Sequence, residues 1–162
     1  MVDKSTLTDS GQLFELLSVV TDPEIPVLTL QDLGVLRKIE ATDHGIVVTI
    51  TPTYAGCPAM QTMRQDIESV LAAAGHHEVT VKESLSPAWT TDWMTQTGRN
   101  KLREYGIAPP VKTSCGKSIG EIECPQCNSA EVKIISEFGS TACKALYQCQ
   151  QCLEPFDYFK CI

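Results

Sequence analysis

The chain has 162 residues, 43% of them hydrophobic and 20% charged, which is ordinary for a globular protein with a real core. A formal net charge of −7 argues against nucleic acid as the main partner, because binding phosphates requires a basic surface. No apolar run approaches the roughly 18 residues of a membrane span, and the N-terminus lacks a signal-peptide pattern. We therefore expect a cytoplasmic protein without a membrane partner, whose eight cysteines are metal ligands or reactive groups.

The first half of the chain carries alternating helix and strand patterns. Leucines at helical spacing follow Asp9, a candidate N-cap, and the prolines of "TDPEIP" end this helix. The β-rich runs "GVLRKIE" and "GIVVTITPT" flank the turn signal Asp43-His44-Gly45 and predict a hairpin. A second amphipathic helix ends at Gly75, and the alternating segment "EVTVKESL" predicts a third strand. This order predicts an α+β fold, a small α-β-β-α-β sandwich with helices on one face of a sheet.

Composition divides the chain into three parts. Residues 1–106 hold the sandwich and an extension containing Trp89 and Trp93. The two tryptophans are four residues apart and either share a helical face or, as we favour, attach the extension to the core. Residues 107–120 are rich in Pro, Gly and Ser without periodicity, which is typical of a linker. Residues 121–162 form a cysteine-rich C-terminal module.

The C-terminal module contains two C-x-x-C pairs. They are "CPQC" (Cys124 and Cys127) and "CQQC" (Cys149 and Cys152), with residues 128–148 between them. Each pair can form a tight turn that points both sulfurs at one ion, and two such turns make a tetrahedral four-thiolate site. So short a segment has too little core to fold alone, and a metal would therefore supply much of its folding energy. On the type of motif, we expect this metal to be zinc with a structural role. An iron–sulfur cluster at the same cysteines is the alternative.

Two further cysteines of this module, Cys143 and Cys161, have no assigned partner. Each is either a small buried hydrophobe or an additional ligand, near the module's metal or at a second iron–sulfur centre. Spacing does not decide between these interpretations. Cys115, in the linker, is expected to have no role.

The charge of the C-terminal module makes it a poor phosphate binder, although zinc ribbons often suggest nucleic acid. It carries six acidic residues and three lysines. The aromatic residues of "EPFDYFKCI" form either a surface that docks a protein or the module's own small core.

Cys57 stands apart from these cysteines, where a strand pattern gives way to a helix pattern in "TPTYAGCPAM". Because Pro58 suits the first helical position, we expect Cys57 at or next to the N-cap, where the helix dipole lowers the pKa of a thiol. Asp22 and Glu24, in the acidic "DPE" turn, are candidates to fold close to it. A buried filler, a nucleophile and a metal ligand remain open for Cys57, and no histidine is obviously paired with it.

Several of these motifs resemble known families. "DPEIPVLTLQDLGVLRKIE" and "VVTITPTYAGCPAM" resemble the small domain shared by cytosolic iron–sulfur cluster assembly and targeting factors and by the bacterial SufT proteins. "SPAWTTDWM", "GRNKLREYGIAPP", "CPQC", "SEFGSTACKALYQCQQC" and "EPFDYFKCI" resemble the PaaD subunits of bacterial phenylacetate degradation. The resemblance covers nearly the whole chain apart from its first dozen residues and the linker.

The resemblance implies a role in phenylacetate catabolism. PaaD-type proteins accompany a multicomponent monooxygenase that epoxidises phenylacetyl-CoA, with a di-iron oxygenase and a reductase carrying flavin and a [2Fe–2S] cluster. The implied partners are these components and the iron–sulfur assembly machinery. The implied role is cofactor maturation without catalysis by the chain itself. In agreement, the sequence has no Glu-x-x-His pair for a di-iron centre and no glycine fingerprint for a nucleotide.

The expected mechanism centres on Cys57, which would bind iron or an iron–sulfur fragment transiently. Asp22 and Glu24, or cysteines of a partner, would assist, while the C-terminal module docks the client. One alternative is a stoichiometric structural subunit of the monooxygenase, in which Cys57 only packs. Another is a thiol enzyme that uses Cys57 as nucleophile or redox centre.

Overall fold

A computed structural model of the chain describes residues 10–113, 116–117 and 120–161. The expected N-cap Asp9 and the linker residue Cys115 lie outside the described residues. Within the described ranges, no helix combines the length and the apolar character needed to cross a membrane.

The first sheet follows the order that the sequence predicts. After helix α1 (Ser10–Leu16), strand β1 (Leu36–Thr42) turns through the expected Asp-His-Gly sequence into the antiparallel strand β2 (Gly45–Ile50). Helix α3 (Met60–Ala73) crosses over, and strand β3 (Val79–Glu83) then pairs parallel with β2. The α+β class, the hairpin and the α-β-β-α-β order are confirmed.

The core lies between this sheet and its helices. Strand β2 alternates buried and partly exposed residues, and Ile46, Val48 and Ile50 are the buried ones. Helix α3 contributes one apolar face with spacings of three and four residues. The buried residues of α3 are Met60, Met63, Ile67 and Leu71. Burial of each such side chain stabilises the fold by about 1.5–3 kcal/mol.

A short helix that the sequence did not predict, α2 (Leu30–Leu33), precedes β1. The Asp32 N–H donates to the Thr29 hydroxyl and the Thr29 N–H donates to the Asp32 carboxylate, which completes a capping box. The same carboxylate accepts from the Thr95 hydroxyl at 3.1 Å and from the Lys101 ammonium at 2.6 Å. Asp32 therefore ties α2 to the extension that follows the sandwich.

The end of α2 explains why glycine stands at position 34. Gly34 has a φ of 71°, which side chains disfavour, and a Cβ there would lie 2.5 Å from the Trp93 carbonyl oxygen. The extension ends in helix α4 (Gln96–Glu104), which Thr95 caps by accepting the Gly98 N–H at 2.9 Å. This close approach of α2 to the extension is possible only without a side chain at position 34.

Both tryptophans attach the extension to the core, which is the favoured of the two interpretations. Trp89 is 3% exposed, and its indole N–H donates to the Leu33 carbonyl at 2.8 Å. The Arg37 guanidinium lies 3.6 Å from the centre of the Trp93 ring. The two rings do not share a helical face, because the short 3-10 helix Thr91–Trp93 begins after Trp89.

The second sheet has the strand order β4-β7-β6-β5. Its strands are β4 (Ile107–Ala108), β5 (Val132–Ser136), β6 (Lys144–Cys149) and β7 (Pro155–Phe159). Strand β4 pairs parallel with β7, whereas β5, β6 and β7 pair antiparallel. Two residues of the expected linker therefore belong to the sheet of the C-terminal module.

The three aromatic residues of β7 are buried and therefore do not form a docking surface, but only Phe156 and Tyr158 belong to the module's own core. Phe156 and Tyr158 pack with two of the paired cysteines in the module's own cluster. Phe159 is 1% exposed, belongs to the core cluster of the sandwich, and meets the Trp89 ring edge-on at 6.1 Å between centroids. The C-terminal module is thereby packed directly against the extension.

Candidate functional sites

The two C-x-x-C pairs bring their sulfurs together. The Sγ atoms of Cys124, Cys127, Cys149 and Cys152 all lie within 4.8 Å of one another. Cys124 Sγ is 3.6 Å from Cys152 Sγ, and Cys127 Sγ is 3.5 Å from Cys149 Sγ. These distances approach the roughly 3.8 Å edge of a tetrahedron whose Zn–S bonds are about 2.3 Å. The donor set therefore fits a zinc ion.

Tight turns in the backbone position the sulfur atoms of the two C-x-x-C pairs. The Asn128 N–H donates to the Cys124 carbonyl at 2.9 Å, with Asn128 in the left-handed region at a φ of 63°. In the second pair, the N–H groups of Cys152 and Gln151 both donate to Cys149 Sγ at 3.4 Å. These two donors stabilise the thiolate and lower the pKa of Cys149 to about 6. The second turn therefore favours the thiolate form, which is the form that binds a metal.

The structure does not bring Cys143 or Cys161 into this quartet. Cys161 Sγ accepts the Lys112 N–H at 3.0 Å and donates to the Lys112 carbonyl at 3.1 Å, so it joins the segment after β7 to the linker. Cys143 is 5% exposed and packs in the core cluster of the sandwich, with its Sγ 3.0 Å from the Thr141 hydroxyl. The two cysteines therefore have different surroundings.

Cys57 lies in a turn before helix α3. The expected helix start at Pro58 is wrong, because α3 begins at Met60 and Ala59 is its N-cap. The Met60 N–H donates to the Cys57 carbonyl at 3.3 Å, and Gly56 reverses the chain with a φ of 80°. The thiol is 8% exposed and belongs to the core cluster. Cys57 therefore lies two residues before the N-cap, not at or next to it as expected, although the Ala59 N–H still favours its thiolate.

The surroundings of Cys57 raise the pKa of its thiol, which corrects the expected direction. Burial is the largest cause, and repulsion by the carboxylates of Glu24 and Asp22 adds to it. The Ala59 N–H and the Tyr54 hydroxyl act in the opposite direction, because both stabilise the thiolate by hydrogen bonding. Without a bound cation, Cys57 is a thiol at neutral pH.

Asp22 and Glu24 lie within electrostatic reach of Cys57. Asp22 is 6% exposed, and its carboxylate accepts the N–H groups of Glu24 at 2.7 Å and Ile25 at 2.9 Å. Burial raises the pKa of Asp22 against these two hydrogen bonds and the Lys144 ammonium. Burial and the neighbouring Asp22 raise the pKa of Glu24. The "DPE" turn thus places two carboxyl groups where their charges act on the Cys57 thiol.

Three residues of this cluster were not predicted to belong to it: Tyr54, Cys143 and Lys144. Burial raises the pKa of Tyr54 to about 12, and the charges that Glu24 and an ionised Cys57 carry at such a high pH add to this shift. Lys144 is 5% exposed, and its ammonium lies 3.3 Å from the Asp157 carboxylate. Tyr54 was within reach of sequence reasoning, since it lies in the same loop as Cys57. Cys143 and Lys144 come from the other module, and no local signal connects them to this site.

Two family models match the chain. One is described as an iron–sulfur cluster assembly protein and covers residues 11–82, which include Asp22, Glu24 and Cys57. The other is described as the PaaD zinc beta ribbon domain and covers residues 108–160, which include the four paired cysteines and Cys143. Both groups of candidate site residues thus fall inside matched regions.

Relatives match over long stretches of the chain. It is 52% identical over 152 residues to a protein of Escherichia coli (strain K12) that is named as a putative subunit of 1,2-phenylacetyl-CoA epoxidase, covering 93% of this chain and 92% of that protein. It is 34% identical over 101 residues to the Fe-S protein maturation auxiliary factor of Porphyromonas gingivalis (strain ATCC BAA-308 / W83), covering 59% of this chain and 92% of that protein.

A solved structure supports the fold of the first part. The crystal structure of the domain of unknown function DUF59 from Bacillus anthracis matches with a TM-score of 0.54 at 26% identity. The match covers 57% of this chain and 90% of that one. The sandwich is therefore a known architecture, to which the C-terminal module is added.

Proposed function

Since the chain belongs to the PaaD family of 1,2-phenylacetyl-CoA epoxidase subunits, we propose that it is an accessory maturation factor of that multicomponent enzyme. It assists iron–sulfur or iron cofactor assembly in the oxygenase or reductase component and does not itself carry out the epoxidation. Its partners are these components and the iron–sulfur assembly machinery, in the cytoplasm. The likeness to a relative named as an Fe-S protein maturation auxiliary factor supports this role.

The observation that carries the proposal is the cluster of Cys57, Asp22 and Glu24, which we name the transfer site. A thiolate is a soft ligand and carboxylates are hard ones, and iron accepts both. Because the pKa of Cys57 is raised, a metal must displace a proton in order to bind the sulfur, which weakens the affinity at neutral pH. Weak binding suits a group that must pass its cargo to a client.

We propose a structural role for the C-terminal module, and we also propose that it docks the client through surface other than the aromatic residues of β7, which are buried. Four thiolates around one zinc ion leave no open position, which is the arrangement of structural sites. The proposed units are residues 1–106, the connecting segment 107–120, whose first two residues form strand β4 of the second sheet, and the module 121–162. Elemental analysis of anaerobically purified protein should give about one zinc per chain and a colourless solution. A brown solution with iron in place of zinc would assign an iron–sulfur cluster to the quartet instead.

The function is tested by coexpressing a Cys57→Ser variant with the oxygenase and reductase components. We expect client proteins deficient in iron or in the [2Fe–2S] cluster, measured as iron and acid-labile sulfide per chain. Cys161→Ser is the matched control, because it also removes one thiol but lies at the linker. Client proteins coexpressed with Cys161→Ser should contain their full iron and acid-labile sulfide.

Two outcomes would contradict the proposal. In the first, clients coexpressed with Cys57→Ser contain their full iron and sulfide, and the chain co-purifies stably with the epoxidase. This result would support a purely structural role in the complex. A turnover by the isolated chain that alkylation of Cys57 abolishes would support a thiol enzyme.

A further inference from the structure

Arg103, near the end of helix α4, contacts both ends of the first C-x-x-C turn of the quartet. Its Nη2 atom donates to the Glu123 carboxylate at 2.7 Å and to the Asn128 side-chain oxygen at 2.6 Å. Glu123 immediately precedes Cys124, and Asn128 immediately follows Cys127. One guanidinium from the extension therefore bridges the turn that carries two of the four sulfurs.

Asn128 also closes this turn with its backbone. Its N–H donates to the Cys124 carbonyl at 2.9 Å, and the Cys124 N–H donates to the Ser129 carbonyl at 2.9 Å. Asn128 has a φ of 63°, a left-handed conformation that asparagine tolerates better than most residues. Because Cys127 is its direct neighbour, a movement of Asn128 displaces a metal ligand. Arg103 thus holds the side chain of the residue on which the shape of the turn depends.

Side-chain packing does not hold α4 against the start of the C-terminal module. A cavity of about 470 Å³ lies between them, and its lining includes Arg99, Arg103, Glu121 and Glu123. The polar contacts of Arg103 therefore join α4 to the first turn across a gap that apolar side chains do not fill.

Helix α4 makes separate polar contacts with each part of the chain around it. Lys101 donates to the Asp32 carboxylate of the sandwich at 2.6 Å, and Arg99 donates to the Pro110 carbonyl of the connecting segment at 2.8 Å. Arg103 is the member of this series that reaches the metal ligands. Substitutions at Lys101 and at Arg103 should therefore have different consequences.

We propose that Arg103 is a positioning residue of the quartet, which clamps the first C-x-x-C turn in the shape that binds zinc and so slows the loss of the metal. The inference goes beyond the proposed function, because it concerns how the chain retains its structural metal. Since a closed four-thiolate site has no open position, zinc leaves only when a ligand moves away. Arg103 opposes that movement by holding the residues on both sides of the first pair.

The effect should appear in metal retention more than in overall stability. The side chains of Arg103 and Glu123 are 41% and 43% exposed, and an isolated ion pair at such exposure contributes little to folding. The bridge across the turn acts on the metal instead. Because coupling is reciprocal, bound zinc also keeps Glu123 and Asn128 in place for Arg103.

The test measures zinc transfer from the zinc-loaded full-length chain to the chromogenic chelator pyridylazoresorcinol. In Arg103→Ala, zinc release should be faster by roughly tenfold, the low end of the effects of residues that support metal ligands. Arg103→Lys keeps one donor group and should recover part of the wild-type rate.

A second variant tests whether Arg103 acts through Asn128. Asn128→Gly keeps the left-handed backbone accessible but removes the side-chain oxygen, so zinc release should again be faster. In the Arg103→Ala background, Asn128→Gly should add little, because both changes remove the same contact. The visible absorption bands of the cobalt-substituted chain, which report ligand geometry, should change in both single variants.

Lys101→Ala is the matched control, since it removes a cation from the same helix but on the side of the sandwich. It should lower the free energy of unfolding while leaving the rate of zinc release and the cobalt spectrum as in the wild type. Wild-type zinc release in both Arg103→Ala and Asn128→Gly would overturn the inference. Equal acceleration in Lys101→Ala would also overturn it, because a general loosening of α4 would then explain the loss of metal.

Discussion

Tyr54 and Glu24 shift the pKa of the Cys57 thiol in opposite directions. The hydroxyl of Tyr54 stabilises the thiolate, while the carboxylate of Glu24 repels it. Tyr54→Phe should therefore raise the pKa of Cys57 further, and Glu24→Gln should lower it. At neutral pH, alkylation of Cys57 should slow severalfold in Tyr54→Phe and accelerate in Glu24→Gln.

The measurement is the rate of iodoacetamide modification against pH, followed at the Cys57 peptide by mass spectrometry. Cys161 in the same chain is an internal control, because its contacts are to Lys112 and Tyr158 and the two substitutions leave them in place. Equal rates at Cys57 in the two variants would show that these side chains do not tune the thiol.

At the residue level, cysteine spacing predicted which residues lie together as metal ligands, but local sequence did not predict the pKa of a thiol. The C-x-x-C spacing identified Cys124, Cys127, Cys149 and Cys152 as a group because neighbouring residues in tight turns point the same way. The pKa direction of Cys57 was wrong, because it depends on burial and on Asp22 and Glu24, which come from a different part of the chain. Local sequence contains the first kind of information and not the second.

At the level of elements, Asp32 joins helix α2 to the extension through its capping box and its ion pair with Lys101. Asp32→Asn keeps the shape but removes the charge, so we expect the free energy of unfolding at neutral pH to fall by about 1–2 kcal/mol. Urea denaturation measures this difference. The exposed Asp66→Asn, on helix α3, is the matched control and should leave stability nearly unchanged.

The same carboxylate predicts a pH dependence. Burial raises the pKa of Asp32, but hydrogen bonds from Lys101 and Thr29 outweigh burial and hold it below the ordinary 3.8. Its stabilising contribution is therefore complete above that pH and is lost as the pH falls through the lower folded-state value. Below about pH 4 the stabilities of wild type and Asp32→Asn should converge. A constant difference down to about pH 2 would contradict this assignment.

Elements with strong periodic patterns were predicted, and those fixed by distant contacts were not. The turn of the first hairpin and the apolar face of α3 are visible in the sequence. Helix α2 has only four residues and depends on Thr95 and Lys101 from the extension. Strand β4 has two residues and exists because β7 pairs with it. Pattern analysis has no means of detecting either.

At the level of the whole molecule, the metal of the quartet supports the packing of both modules. Phe159, at the end of β7, lies against Trp89 of the extension. Disrupting the quartet with Cys152→Ser, which alters an exposed ligand, should loosen this contact and shift tryptophan fluorescence to longer wavelength. We expect the free energy of unfolding to fall by about 3 kcal/mol, similar to the loss of a buried aromatic side chain.

Fluorescence and thermal denaturation with and without a zinc chelator measure this coupling. Cys161→Ser should keep its zinc and its fluorescence, since it lies outside the quartet. An unchanged tryptophan spectrum after complete zinc release would show that the sandwich and the C-terminal module are independent.

The order of modules along the chain was predicted from sequence, whereas the packing of one module against the other was not. Composition shifts separate the cysteine-rich module from the sandwich. The contacts that join the two, such as Phe159 with Trp89 and Cys143 with the sandwich core, connect positions far apart in sequence. These contacts place Cys143 in the sandwich core, and no local pattern in the sequence predicts them.

The pairing of β4 with β7 also sets an order of events during protein synthesis. Ile107 and Ala108 leave the ribosome long before their partners Asp157 and Tyr158, because translation proceeds from the N-terminus. Until β7 emerges, β4 has no partner strand on that side and Phe159 is not yet against Trp89. A nascent chain can fold its sandwich early. Only after β7 has left the ribosome can the two modules pack together and meet a client as one unit.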